Sequence, residues 1–70
     1  MKRIKYKENA ECNCMVLDEV KRLWNGNEEP DFLMETCEDD GISIIHLPNH
    51  ELKFSEGDVL VFTGEDIYVE

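Results

Sequence analysis

No stretch of this chain is apolar for long enough to cross a membrane as a helix, and its basic first residues are not followed by the apolar core of a signal peptide. The expected location is therefore the cytosol. Cysteine is sparse and odd in number, three residues, which argues against a disulfide framework and for reduced thiols. Glycine is limited to four residues, all in turn contexts, so no glycine-rich loop is available to cradle a phosphate. Basic charge is scarcest of all beyond the N-terminus. Lys2, Arg3, Lys5 and Lys7 hold four of the seven cations, and from Glu8 onward only Lys21, Arg22 and Lys53 face seventeen acidic residues. Such a field repels nucleic acid and anionic membranes and attracts basic protein surfaces, while also favouring solubility. The only basic stripe, residues 2–7, carries a single aromatic, Tyr6, too little for a nucleic-acid-binding face.

What is present speaks mainly of fold. In the last third, Glu51 to Glu70, Leu52 and Phe54 alternate with Glu51 and Lys53. Val59-Leu60-Val61-Phe62 and Ile67-Tyr68-Val69 are short β-branched and aromatic runs between glycine turns. Gly57 and Gly64 suit the positive φ that tight turns demand. The first of those runs is apolar on both faces, which predicts a strand covered on both sides.

Upstream, Lys2–Lys7 alternates, with Ile4 and Tyr6 on one face and Arg3, Lys5 and Lys7 on the other. It reads as a half-buried strand whose lysines suit a sheet edge, with charges that would pair within the acidic body. Residues 8–13 read as a connection. Val16, Leu17, Val20, Leu23 and Trp24 form a helical stripe, predicting a helix over residues 14–24 capped by Asn13 and ended by Asn25-Gly26. The competing strand reading puts Val16, Val20 and Trp24 on one face. After a polar loop to Pro30, residues 32–37 and 42–47 make a hairpin around Glu38-Asp39-Asp40-Gly41, and Pro48-Asn49-His50 breaks the second strand. The expectation is one domain over residues 1–70. It is mainly β, a small SH3-like or OB-like bent sheet or partly closed barrel of five to six short antiparallel strands with one short helix, α+β if the helix at 14–24 forms.

Residues 51–60, ELKFSEGDVL, resemble the diverging-turn region of SH3-type barrels, in which a Leu-x-Phe strand runs through a Gly-Asp turn into the next strand. More chain follows that point in an SH3 domain than remains here, so no peptide-binding residues carry over. Across residues 20–62, Glu38-Asp39-Asp40-Gly41, Ile45, Pro48, Leu52 and Glu56-Gly57-Asp58-Val59-Leu60 are similar to a family of small acidic bacterial proteins known as a domain of unknown function. The chain departs from that family in the two residues between Ile45 and Pro48 and in lacking a second proline. This resemblance implies a strand at residues 15–24 and no activity.

Two sets of side chains could carry chemistry. Cys12, Cys14, Cys37, His46 and His50 are the only set with the softness for zinc, and on a strand Cys12 and Cys14 would face the same way. The spacing matches no standard zinc knuckle, so no cofactor is expected. A zinc-stabilised structural or regulatory domain is the alternative reading. No nucleophile elbow is present, and a chain this short has little room for a deep pocket, so a non-catalytic protein is expected. The second set is acidic: Glu28, Glu29 and Asp31 in one loop, Glu38, Asp39 and Asp40 in a turn, and Glu65 and Asp66 in another, with Trp24 as a candidate anchor. Gathered at one end of a barrel, these would bind a basic partner surface. They could occupy a nucleic-acid-binding groove by placing carboxylates where phosphates sit, inhibiting its owner. Pairing with a second copy through a sheet edge is a further option.

Overall fold

A computed structural model describes residues 1–70. Strand β1 (Lys2–Lys5) leads into helix α1 (Ala10–Leu23), followed by β2 (Met34–Cys37), β3 (Ile42–His46), β4 (Glu51–Ser55), β5 (Val59–Phe62) and β6 (Ile67–Val69). The strands form two antiparallel three-stranded sheets, one ordered β1-β5-β6 and the other β2-β3-β4. The mainly β expectation, with six strands and one helix, holds. The tight turn at Glu56-Gly57-Asp58 passes the chain from one sheet to the other, and β6 lies beside β4. On the opposite side β1 and β2 do not pair, so the barrel stays open.

The helix begins earlier than its apolar stripe suggested, within residues read as a connection. Asn9, not Asn13, is the cap: its backbone is extended and its side-chain oxygen accepts the Cys12 N–H at 2.8 Å. Cys12 then joins Val16 and Val20 at a spacing of four, and all three are buried. Glu11 in the first turn and Lys21 and Arg22 in the last suit the helix dipole. The strand implied for residues 15–24 does not form. A spacing of four fits one face of either element, and the cap together with Cys12 tips the balance to helix.

One core joins the helix to both sheets through Tyr6, Val16, Val20, Ile45, Phe54 and Leu60, among others. Tyr6 meets Phe54 edge to face, with centroids 4.7 Å apart. The Tyr6 hydroxyl donates to Asn13 Oδ1 at 2.7 Å and lies 3.4 Å from Ser43 Oγ, which is 3.3 Å from Thr36 Oγ1. This short chain satisfies Ser43, the one buried polar residue, and ties β1, α1, β3 and β2 together. Asn13 thus holds a tyrosine rather than starting a helix.

Strand β5 is central and almost wholly buried, as its two apolar faces required. Leu60 and Phe62 face the core. Val61, on the opposite face, is also buried, with Arg3 and Tyr68 its cross-strand neighbours. No helix of the structure is long and apolar enough to cross a membrane.

Candidate functional site

The acidic residues fall into two populations. Those near the C-terminus have structural partners, with the exception of Glu65, whose carboxylate meets none. Asp58 Oδ2 accepts the Ser55 N–H at 2.9 Å, and Glu56 accepts the Glu8 N–H. Glu70 pairs with Arg3 at 3.1 Å. Asp66 accepts the Ile67 N–H and holds the His50 imidazole at 3.0 Å. His50 Nδ1 lies 3.3 Å from the Glu51 carbonyl, so both ring nitrogens have an acceptor. The Asp66 hydrogen bond first, and that carbonyl second, favour the imidazolium and raise the His50 pKa above its ordinary value.

The second population has almost none. From Leu23 to Leu52 the chain contains no lysine or arginine, yet it carries Glu28, Glu29, Asp31, Glu35, Glu38, Asp39, Asp40 and Glu51. The only ion pairs to lysine or arginine anywhere are Arg3–Glu70 and Glu19–Arg22. The N-terminal cations were expected to pair within the body, but Lys2, Lys5 and Lys7 do not. Within the 28–40 segment, Asp40 accepts the Ile42 N–H in its own turn, and Glu35 stands 3.7 Å from His46, whose other nitrogen is 3.3 Å from Glu51.

The acidic turns do not all gather at one end. Strand β2 separates them, because the 28–31 loop precedes it and the Glu38–Asp40 turn follows it. That strand is four residues long, which sets the two patches roughly 13 Å apart. The loop end is tied together by three contacts: His46 N–H to the Leu33 carbonyl, Trp24 Nε1–H to the His46 carbonyl at 2.8 Å, and Leu47 N–H to the His50 carbonyl. Through His50 it reaches Asp66. Trp24, Glu28, Glu29 and Asp31 therefore share one open depression with Pro30, and the Glu65-Asp66 turn belongs to the same end. Glu38, Asp39 and Asp40 belong to the other. Trp24 is half-buried, its indole fixed by its hydrogen bond while part of the ring borders the depression.

Phe32 was missed as a site residue because its neighbours read as strand. Strand β2 starts only at Met34, and Phe32 stands 67 % exposed beside Asp31. The signal was available in the sequence: a phenylalanine directly after Glu-Glu-Pro-Asp interrupts a polar loop.

The cysteine and histidine set does not converge. No three His, Cys, Asp or Glu side chains stand close enough to hold one metal ion. Cys12 and Cys14 lie on a helix, where a step of two turns them about 200° apart, not on a strand that would align them. Cys12 is buried under the Lys7 N–H, whereas Cys14 and Cys37 are exposed.

In comparisons with family models, curated proteins and solved structures, nothing matches this chain.

Proposed function

We propose that this is a non-catalytic acidic interaction protein, acting in the cytoplasm, that binds a basic surface of a partner protein. The observation that carries the reading is the unneutralised segment 28–40. Glu28, Glu29, Asp31, Glu38 and Asp39 accept no hydrogen bond and meet no cation within the chain, and Phe32 stands exposed among them. Carboxylates that hold no part of the fold together remain free to meet lysine or arginine from outside. Exposed Phe32, next to Asp31 in the chain, and half-buried Trp24 at the depression supply the apolar contact on which such interfaces depend. In its sharpest form the partner is a nucleic-acid-binding enzyme and the carboxylates stand in for phosphates.

The test begins with capture of binding proteins from the native host at low salt and continues with titration of the purified partner. Replacing Glu28 and Glu29 by Gln and Asp31 by Asn together is expected to weaken binding by on the order of tenfold or more, and added salt should weaken the parent complex steeply. Phe32→Ala should weaken it without changing the salt slope. Competition by nucleic acid for the same partner separates charge mimicry from plain docking. A complex indifferent both to salt and to the triple change would sink the reading.

A further inference from the structure

We propose that the free edge of β2 is where the partner docks, and that it takes up an extended segment in which basic residues alternate with apolar ones, added as a fourth strand to the β2-β3-β4 sheet. The proposal deepens the reading of a basic partner and rests on it. In that sheet β2 pairs only with β3. The His46 N–H to Leu33 carbonyl bond sets the alternation, so Glu35 and Cys37 direct their main-chain groups to β3 while Met34 and Thr36 direct theirs outward. No other main-chain or side-chain group bonds those outward N–H and C=O groups. Glu35, Thr36 and Cys37 are exposed in succession, a pattern open only to an edge strand.

Of the four edge strands, β1, β6, β2 and β4, the first strands of the two sheets are guarded differently. Edge strand β1 carries lysine and arginine, which blunt unwanted pairing. Strand β2 has no lysine and no proline, and its one charge is Glu35 on the outer face. That face continues across Ile42 and Ile44, part of a shallow depression bordered by Glu35 and Asp40 near β2 and by Lys53 on the far strand β4. The acidic loop holding Phe32 lies at one end of the strand and Glu38–Asp40 at the other. A chain of net charge −10 resists pairing with its own kind there, but a basic strand meets Glu35 midway and carboxylates beyond both ends. Main-chain bonds to Met34 and Thr36 would supply affinity, and a lysine or arginine opposite Glu35 would set register.

The probe is an eight-residue peptide alternating lysine and valine, blocked at both ends, with a control of the same composition in two homopolymer blocks. The readout is amide exchange of the full chain. The expected result is that the Met34 and Thr36 amides, fast in the free protein, become protected by the alternating peptide and not by the block peptide. Thr36→Pro removes an outward donor and leaves the β2–β3 main-chain bonds in place, while losing the Thr36–Ser43 hydroxyl contact, and should abolish the protection at Met34; Thr36→Val, which loses the same hydroxyl but keeps the donor, should retain it. Glu35→Lys leaves the main chain intact and should weaken binding by roughly tenfold. Met34 and Thr36 amides that stay fast at saturating peptide would overturn the proposal. If salt-sensitive capture of a partner persists in that case, the acidic-surface reading stands without it. Protection that appears without peptide and grows with protein concentration would assign the edge to a second copy and overturn it equally.

Discussion

The segment 28–40 and the segment 51–70 are both strongly acidic, but they use carboxylates in opposite ways. In 51–70, Asp58 closes the turn between β4 and β5, Asp66 holds His50 and the start of β6, and Glu70 meets Arg3. In 28–40, only Asp40 and Glu35 touch anything, and Asp40 serves only its own turn. The same residue type is a structural part in one region and an unoccupied charge in the other. Composition cannot separate the two, because the difference lies in whether a donor is within reach after folding.

The sharpest way to break this contrast is at Asp58. Its half-buried carboxylate takes both the N–H and the hydroxyl of Ser55, so Asp58→Ala is expected to cost about 1.5–3 kcal/mol in chemical denaturation. A loss near zero would mean that the C-terminal carboxylates are as idle as those upstream. A smaller effect is expected at His50. Its pKa is raised by Asp66 and the Glu51 carbonyl, so the folded state favours the charged ring. That contribution is fully present below the unfolded histidine value near 6.5 and fades as pH rises through the higher folded value. Asp66→Asn should bring the His50 titration, followed by NMR, back toward the ordinary value, and with it remove that pH-dependent share of stability. The two side chains are 39 % and 45 % exposed, enough for solvent to screen the pair, so the effect on unfolding is modest. The smallest effect is expected where no structural partner exists. Neutralising Glu28, Glu29 and Asp31 together should move stability by no more than about 0.5 kcal/mol, and in the stabilising direction as self-repulsion falls. A clear destabilisation there would give those carboxylates a structural role and weaken the case for a binding role.

Much of the fold was legible from residue order. The alternation at Ile4 and Tyr6, the turn at Gly41, which has φ +70°, and the runs around Gly57, at φ +96°, appear as strands and turns where the local signals put them. The start of the helix was not, because Cys12 reads as a polar thiol in sequence but serves as an apolar core residue. The candidate site was legible in its membership and not in its arrangement. Trp24 and the 28–31 carboxylates do come together, while Glu38–Asp40 lie a strand length away and Asp66 is already engaged by His50.

Sequence alone determined the class of element almost everywhere, because side-chain periodicity and glycine backbone freedom act over a few residues. It also determined that the chain carries far more negative charge than its own cations can answer. Only tertiary structure decided which carboxylates remain free, which strands flank Val61, and that β2 is left with an open edge. Those outcomes depend on which distant segments meet. Arg3 reaches Glu70, and His50 reaches Asp66, only after the β4–β5 turn has carried the chain from one sheet to the other.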